Sequence, residues 1–239
     1  NQGHEWLVML DLQYRMHQDI ADFVSEHMYQ GRLKTSDRIA DSRNEIAACH
    51  PCPDAAMSLI DLSGMYSVCT KTMDGSRINI MSALMCLRLA EKNISQYEVG
   101  IITPYSAQSR LMLSMIRDIQ EYDKRWLKVS CATVHQFQGS EKPVIIYDAV
   151  DCFRMPYPGK LLTSLKNDTA NRLFNVALTR AKGKFVLVAN IDFLERKNIS
   201  KKLIFTKAMN LIRKEKHDIE GNYALDEMMP LETEEPIVY

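Results

Sequence analysis

The chain has 239 residues, 46% of them hydrophobic, which is enough for one substantial core or two small ones. It contains no run of about 18 apolar residues, so we expect no membrane-spanning helix. The 30 basic and 30 acidic residues give a formal net charge of zero, and six cysteines without framework spacing favour a reducing, cytoplasmic compartment. The chain starts at Asn1 without a signal peptide, and we expect a piece of a longer protein.

Segments rich in β-branched residues alternate with helical segments along the chain. Strands are predicted over 57–62, 98–103, 128–132, 144–150 and 184–189. Helices are predicted over 19–29, 77–93, 107–122, 168–181 and 197–216. The strands lack polar alternation, as expected for a parallel sheet that is covered on both faces. The order therefore predicts one α/β domain with a mostly parallel sheet flanked by helices.

Two segments of the N-terminal half combine residues that suit phosphates or bases. Residues 13–17 read QYRMH, and an aromatic ring beside an arginine can stack on a base and reach a phosphate. Residues 101–108 read IITPYSAQ, where backbone amides and the hydroxyl of Thr103 or Ser106 could hold a phosphate at a helix start. Surface positions and simple helix capping are the respective alternatives.

Two further segments lie in the C-terminal half. Residues 132–142 read ATVHQFQGSEK; Gly139 permits close approach of a ligand to the backbone, and Glu141 can accept a hydrogen bond from a sugar hydroxyl. Residues 171–182 read NRLFNVALTRAK, which predicts a helix with an apolar arc and a polar arc. The polar arc could hold its two arginines toward phosphate oxygens. An ordinary amphipathic helix with solvated arginines is the alternative.

Polar loops and charged residues are distributed unevenly along the chain. Polar loops are predicted at 35–54, 64–76 and 151–166, and the last follows the carboxyl end of a strand, where ligands gather in open α/β sheets. Residues 218–239 hold seven acidic residues and no Lys or Arg, which predicts a flexible or docking tail. The domain over 1–217 then carries 30 basic and 23 acidic residues, and this net charge of +7 suits a polyanion.

The sequence holds arginines suited to phosphates but no phosphate-binding loop. The pattern G-x-x-x-x-G-K-[ST] does not occur in it. The acidic pair Asp226-Glu227 follows no hydrophobic strand, unlike a magnesium-binding pair. The chain therefore has neither a phosphate cradle nor magnesium carboxylates of its own.

Taken in order, these segments resemble the motifs of the second RecA-like domain of superfamily 1 helicases. The matching runs are QYRMH followed by YQGRL, then ITPYSAQ, TVHQFQGSEKPVII and NRLFNVALTRAKGKFVLVAN, over roughly residues 7–195. The branch that they resemble contains the nonsense-mediated-decay RNA helicase and its DNA-acting relatives. The resemblance implies a single RecA-like domain of an ATP-dependent helicase or translocase, an ATP hydrolase that moves along a single nucleic-acid strand, RNA or DNA.

The resemblance also implies a nucleotide site that two domains share. In that family ATP and Mg²⁺ lie in a cleft, and the first RecA-like domain of the same protein supplies the phosphate loop and the magnesium ligands. Tyr14 would contact the adenine and Arg15 the γ-phosphate. Glu141 would bind the ribose, with Gly139 close by. Arg180 would be the arginine finger that stabilises charge on the transferred phosphoryl group. No metal ligand is assigned to this chain, and alone it is predicted to be inactive.

The nucleic-acid surface is implied in the same way. Five residues would contact the strand, namely Thr103, Pro104, Tyr105, Thr133 and His135. Such contacts, made mainly to the backbone, would let the domain move along a strand without reading its sequence.

Two alternative functions stay open on the residues alone. The chain could be a nucleic-acid-binding or regulatory module of a helicase-like protein that has lost hydrolysis. Cys49 and Cys52 have the C-x-x-C spacing of redox and zinc sites, although no second pair completes a zinc tetrad.

Overall fold

The structure of the chain is a computed structural model that describes residues 11–222. Its strands are β1 (Leu12–Gln13), β2 (Lys34–Thr35), β3 (Met57–Asp61), β4 (Cys69–Lys71), β5 (Arg77–Asn79), β6 (Val99–Thr103), β7 (Val129–Thr133), β8 (Lys142–Asp148), β9 (Ala181–Ala189) and β10 (Asp218–Glu220). Six strands form the central sheet in the order β10-β3-β9-β8-β6-β7, and every neighbouring pair is parallel. The predicted α/β class is confirmed.

Helices cover both faces of this sheet. They are α1 (Gln18–Met28), α2 (Ala40–Ala47), α3 (Ile80–Asn93), α4 (Ser106–Tyr122), α5 (Lys160–Thr163), α6 (Thr169–Leu178), α7 (Ile191–Arg196) and α8 (Ile204–Lys214). Parallel neighbours need crossover connections, and helices supply most of them here. No helix between residues 11 and 222 is long and apolar enough to cross a bilayer.

Strand side chains alternate between two hydrophobic cores, one on each face of the sheet. In β9, Phe185 and Leu187 join the core formed with α1, α6 and α8, whereas Val186 and Val188 join the core formed with α3 and α4. All four side chains are fully buried. A strand that is buried on both faces needs apolar residues at successive positions, which explains the missing polar alternation.

The helix predicted over 171–182 forms as α6, but it ends earlier than its periodicity indicates. Its apolar arc is buried as predicted, with Phe174 at 2% exposure. The helix ends at Leu178 because the chain must turn to begin β9 at Ala181, where it pairs with β8. Arg180 therefore lies in a turn and not on a helical face, which corrects the prediction of two arginines along one arc.

Other segments contain more regular structure than the sequence indicates, and the predicted loop 35–54, for example, contains α2. The predicted loop 64–76 and the start of the predicted helix 77–93 form an antiparallel hairpin of β4 and β5, so α3 begins only at Ile80. Asp218–Glu220, the first residues of the expected acidic tail, pair as β10 with β3 at the sheet edge. Residues 223–239 lie outside the described part of the chain, and the tail there stays a prediction.

Candidate nucleotide and nucleic-acid sites

The predicted site residues lie at two opposite edges of the parallel sheet. Residues that precede parallel strands meet at one edge, and residues that follow them meet at the other. Glu141 and Arg180 directly precede β8 and β9, whereas Thr133 ends β7 and Pro104 follows β6. We call the edge with Glu141 and Arg180 the amino edge, and the edge with Pro104 and Thr133 the carboxyl edge.

Glu141 is the centre of the amino edge. Its carboxylate accepts a hydrogen bond from Nε of Arg15, 126 residues away in sequence, and pairs with Nζ of Lys182 at 3.0 Å. The hydrogen bond from Lys182 and that from Arg15 hold the pKa of Glu141 below its ordinary value. Gly139 precedes it with a φ of +87°, a backbone conformation that glycine adopts readily. The ionised carboxylate therefore draws two cations to one point.

Arg180 is anchored beside this carboxylate. Its Nε donates to the carbonyl oxygen of Val176 at 3.1 Å, and its Nη1 donates to that of Ser140 at 3.3 Å. Burial, followed by the positive charge of Arg15, lowers the pKa of Arg180. Two guanidinium groups that lie close enough to repel each other favour the binding of an anion, because a negative charge relieves the repulsion.

The loop before α1 is fixed by contacts that no motif indicated. Arg43 of α2 donates from Nε to the carbonyl oxygen of Arg15 at 2.6 Å and from Nη2 to that of Tyr14 at 3.4 Å. The backbone N–H of His17 donates to the carbonyl oxygen of Lys182 at 2.7 Å, which ties the loop to β9. The Tyr14 side chain is 54% exposed and accessible to a ligand.

The charges of the amino edge suit a nucleoside triphosphate. Four cationic side chains, those of Arg15, Arg43, Arg180 and Lys182, surround the carboxylate of Glu141. Arginine forks match phosphate oxygens, and the exposed tyrosine ring beside them can stack on a base. Over residues 11–222, no three His, Cys, Asp or Glu side chains are arranged to hold a metal ion. The arginine and lysine donors of this edge suit phosphate oxygens, and the Glu141 carboxylate suits a sugar hydroxyl.

A cleft of about 590 Å³ opens at the carboxyl edge. Pro104, Tyr105, Thr133 and His135 line it, together with the β4–β5 hairpin and the loop that carries Gly159 and Lys160. The predicted loop 151–166 therefore borders this site, as its place after a strand indicated. We call this space the strand cleft.

The predicted strand-contacting residues differ in how far they reach this cleft. His135 is exposed, and Thr133 is half-buried. Thr103 is fully buried, and its hydroxyl accepts the N–H of Tyr105 at 3.4 Å. Tyr105 is only 6% exposed, and its hydroxyl donates to the carboxylate of Asp151. The side chains of Thr103 and Tyr105 shape the loop from inside, which differs from the direct contact that the motif implied.

Asp151 joins three of the segments that line the strand cleft. Its buried carboxylate accepts hydrogen bonds from Nη1 of Arg77 at 2.5 Å, the Tyr105 hydroxyl at 2.9 Å and the Gly159 N–H at 2.6 Å. Burial raises the pKa of Asp151, and these donors act against the rise. A Cβ on Gly159 would lie 1.9 Å from the Tyr105 hydroxyl oxygen, so glycine permits this approach. In the sequence, the one feature that could have indicated the role of Asp151 is its position soon after the buried strand β8.

The unpaired charges of the cleft are positive. Arg77 is paired with Asp151, and Asp74 lies 3.6 Å from an arginine of α4. Lys71 and Lys160 line the same cleft, and neither forms an ion pair with a residue in the described range 11–222. Two ammonium groups that line the cleft without an ion-pair partner among the described residues make it suited to an anionic chain.

The C-x-x-C segment shows packing, not the features of a reactive site. Burial raises the pKa of Cys49 to about 11, which disfavours the thiolate that redox and metal chemistry require. Buried Lys184 donates from Nζ to three carbonyl oxygens around it, those of Ala47, Cys52 and Ala55, at 2.6–3.0 Å. These bonds fix the segment against β9.

The chain matches a known family and several known proteins. A family model described as an AAA domain matches residues 1–192. "Helicase sen1" of Schizosaccharomyces pombe is 26% identical over 197 residues, 79% of this chain and 11% of that protein. The "Regulator of nonsense transcripts 1 homolog" of Drosophila melanogaster is 28% identical over 218 residues, 89% of this chain and 17% of that protein.

A third relative has a name that refers to DNA. The "DNA polymerase alpha-associated DNA helicase A" of Saccharomyces cerevisiae is 30% identical over 208 residues, 78% of this chain and 28% of that protein. The chain thus spans between 11% and 28% of the length of these three relatives.

Proposed function

Because the chain belongs to the AAA domain family, as a helicase-like domain of the nonsense-mediated-decay branch, we propose that it is the C-terminal motor domain of an ATP-dependent superfamily 1 helicase or translocase. One observation carries this proposal: a cationic cluster and a basic cleft occupy opposite edges of one rigid sheet. A motor that couples nucleotide hydrolysis to movement along a strand needs both surfaces on one body.

At the amino edge, Arg180 and Arg15 are assigned to the γ-phosphate. When bound, ATP supplies the phosphoryl group and its charge, and a first RecA-like domain supplies the phosphate loop and the Mg²⁺ ligands. Carbonyl oxygens hold Nε and Nη1 of Arg180, so its position is set before a ligand arrives. Tyr14 is assigned to the base.

The same edge has room for a sugar contact. Glu141, with Gly139 close by, is assigned to the ribose. Its two oxygens pair with Arg15 and Lys182, and each oxygen has a second lone pair with which to accept a hydroxyl. A ribose can therefore bind without breaking either ion pair.

At the carboxyl edge, the chemistry suits a sugar–phosphate backbone. Lys71 and Lys160 supply positive charge, and the hydroxyls of Ser76 and Ser106 lie 3.3 Å apart on the hairpin side of the strand cleft. His135 is exposed beside them. Backbone contacts of this kind give affinity without sequence readout, which is what a translocating domain requires.

Oligonucleotide binding tests the strand surface. We expect the chain to bind single strands weakly and with little sequence preference, because the expected contacts are to phosphates. The log–log slope of affinity against salt should fall by about 1.4 when Lys71→Gln and Lys160→Gln are combined, since each phosphate contact contributes about 0.7. Fluorescence anisotropy over a salt series measures both slopes.

A matched double variant controls for charge alone. Lys124→Gln with Lys128→Gln removes the same charge next to the start of β7, at the amino edge, and should leave the slope near its wild-type value. Tight binding that salt does not weaken, or strong preference for one sequence, would contradict the assignment.

The competing function is a nucleic-acid-binding or regulatory module without hydrolysis. It requires the strand cleft but makes no use of the amino edge. The convergence of Arg15, Lys182 and Arg180 on Glu141 favours the enzyme, because a module that only binds strands gains nothing from a second cationic cluster. The first RecA-like domain as partner and the cytoplasmic location stay predictions.

A further inference from the structure

Aromatic rings and cations alternate on a patch outside both sites. It consists of Phe153, Arg154 and Tyr157, from the loop after β8, and of Arg196 and Lys197, from the end of α7; we call it the loop patch. A groove of about 420 Å³ is lined by all of these except Tyr157, whose side chain is 72% exposed. The loop lies outside the motifs that carry the helicase resemblance.

The loop patch is cationic, and its cations lie against its rings. Arg196 pairs with a carboxylate one turn earlier on α7, whereas Arg154 and Lys197 form no ion pair within the described residues 11–222. Nζ of Lys197 lies 5.7 Å from the centroid of the Tyr157 ring, and Cζ of Arg196 lies 5.9 Å from that of Phe153. A cation over one face of an exposed ring leaves the other face open for stacking.

The loop patch is joined to the strand cleft through backbone contacts. Arg77, which lines the cleft, donates from Nη2 to the carbonyl oxygen of Tyr157 at 3.0 Å. Two residues later, the Gly159 N–H is held by Asp151, and Lys160 lines the cleft. Tyr157 thus lies three residues from a cleft lysine on a loop that is held at both points.

We propose that the loop patch is a second single-strand subsite, where Tyr157 stacks on a base and Arg154 and Lys197 bind phosphates next to those in the strand cleft. Every base has a π-face, so such stacking is tolerant of sequence, as the proposed movement along a strand requires. Positive charge beside exposed rings is complementary to the phosphates and bases of a nucleic-acid strand, and this favours a strand as the occupant. The inference rests on the proposed function and extends its strand surface.

Affinity against oligonucleotide length tests the subsite. The measurement is fluorescence anisotropy of the full chain with oligothymidylates of increasing length. For the shortest strands that bind, we expect wild type and Tyr157→Ala to have equal affinities. For longer strands, Tyr157→Ala should bind about 5- to 20-fold more weakly, because one stacking platform is lost. Tyr157→Phe keeps the ring and should bind like wild type. Tyr122→Ala removes an 89% exposed tyrosine at the end of α4 and should have no effect.

A charge variant gives an independent readout. Lys197→Gln should lower the log–log salt slope by about 0.7 for long strands and leave it unchanged for short ones. If Tyr157→Ala proves less stable than wild type in a thermal melt, the salt slope of Lys197→Gln tests the subsite in its place.

The outcomes separate the subsite from the strand cleft. Equal affinity of Tyr157→Ala and wild type at every length, with an unchanged Lys197→Gln slope, overturns the loop patch and leaves the cleft in place. An equal loss at all lengths also overturns it, because the patch would then be part of the primary site. Absence of binding by wild type at any length overturns the cleft and the patch together.

Discussion

Replacing Arg180 by Ala, in a protein that joins this chain to a first domain with a phosphate loop, should lower strand-stimulated ATP turnover about 10³-fold or more. ATP binding should weaken far less, because charge on the transferred phosphoryl oxygens develops mainly in the reacting state. Arg180→Lys should also be poor, since an ammonium does not reproduce the planar two-donor fork. Steady-state turnover with saturating single strand measures the loss, and Arg15→Ala should act in the same direction.

The neighbouring arginine provides a matched control. Arg172 is exposed on α6, and Arg172→Ala removes the same group from the same segment. It should leave turnover and the thermal midpoint near their wild-type values. Near-normal turnover of Arg180→Ala would contradict the arginine-finger assignment, and equal losses in both variants would show that helix integrity, not phosphate contact, matters.

Replacing Asp151 by Ala should destabilise the chain by about 3–5 kcal/mol, the range typical of breaking a buried ion pair from one side. The change leaves the Arg77 guanidinium, the Tyr105 hydroxyl and the Gly159 N–H without their shared acceptor. Urea unfolding followed by circular dichroism measures the free energy of unfolding. Single-strand affinity should fall at concentrations of urea where the variant is still folded, because the three segments line the strand cleft.

An exposed aspartate of the same cleft is the control. Asp74 lies 3.6 Å from Arg110 in a solvent-exposed pair, and Asp74→Ala should unfold at the wild-type urea concentration. Asp151→Asn keeps one oxygen acceptor and should fall between wild type and Asp151→Ala. A free energy of unfolding for Asp151→Ala within about 1 kcal/mol of wild type would contradict the central place of this carboxylate.

Most of the sheet could be predicted because its signals are local. The five predicted strands form within three residues of their predicted bounds, since apolar runs rich in β-branched residues, such as 184–189, mark buried parallel strands without help from the rest of the chain. The end of α6 and the β4–β5 hairpin were missed because both depend on strand pairing. Nothing near Leu178 signals that the next residues pair with β8.

The site was predictable to the extent that motifs carry it. The succession of motifs identified a helicase-like domain, which the AAA domain match and the similar relatives together confirm, and the structure gathers Arg15, Glu141 and Arg180 at one edge. The residues that hold the site segments in place were not predictable. Arg43 and Asp151 act through contacts with Arg15, Arg77 and Tyr105, which lie 28 to 74 residues away in sequence, and no motif marks such contacts.

For the same reason, the sequence did not indicate that the side chains of two motif residues point into the protein. Whether Thr103 and Tyr105 point into the strand cleft or into the loop depends on the strand end and on Asp151, which receives the tyrosine hydroxyl. A sequence motif specifies which residue types occur together, but not which of them contact the ligand and which position its neighbours.

In the proposed function, this chain supplies one half of an ATP-hydrolysing site that two domains complete. ATP turnover with saturating single strand, measured for the purified chain alone and for the chain joined to a first domain with a phosphate loop, tests it most directly. We expect background turnover from the chain alone, because positioning and metal account for most of phosphoryl-transfer catalysis, and strand-dependent turnover from the joined protein. Strand-stimulated turnover by the chain alone that Arg180→Ala abolishes, or no turnover by the joined protein, would contradict the claim.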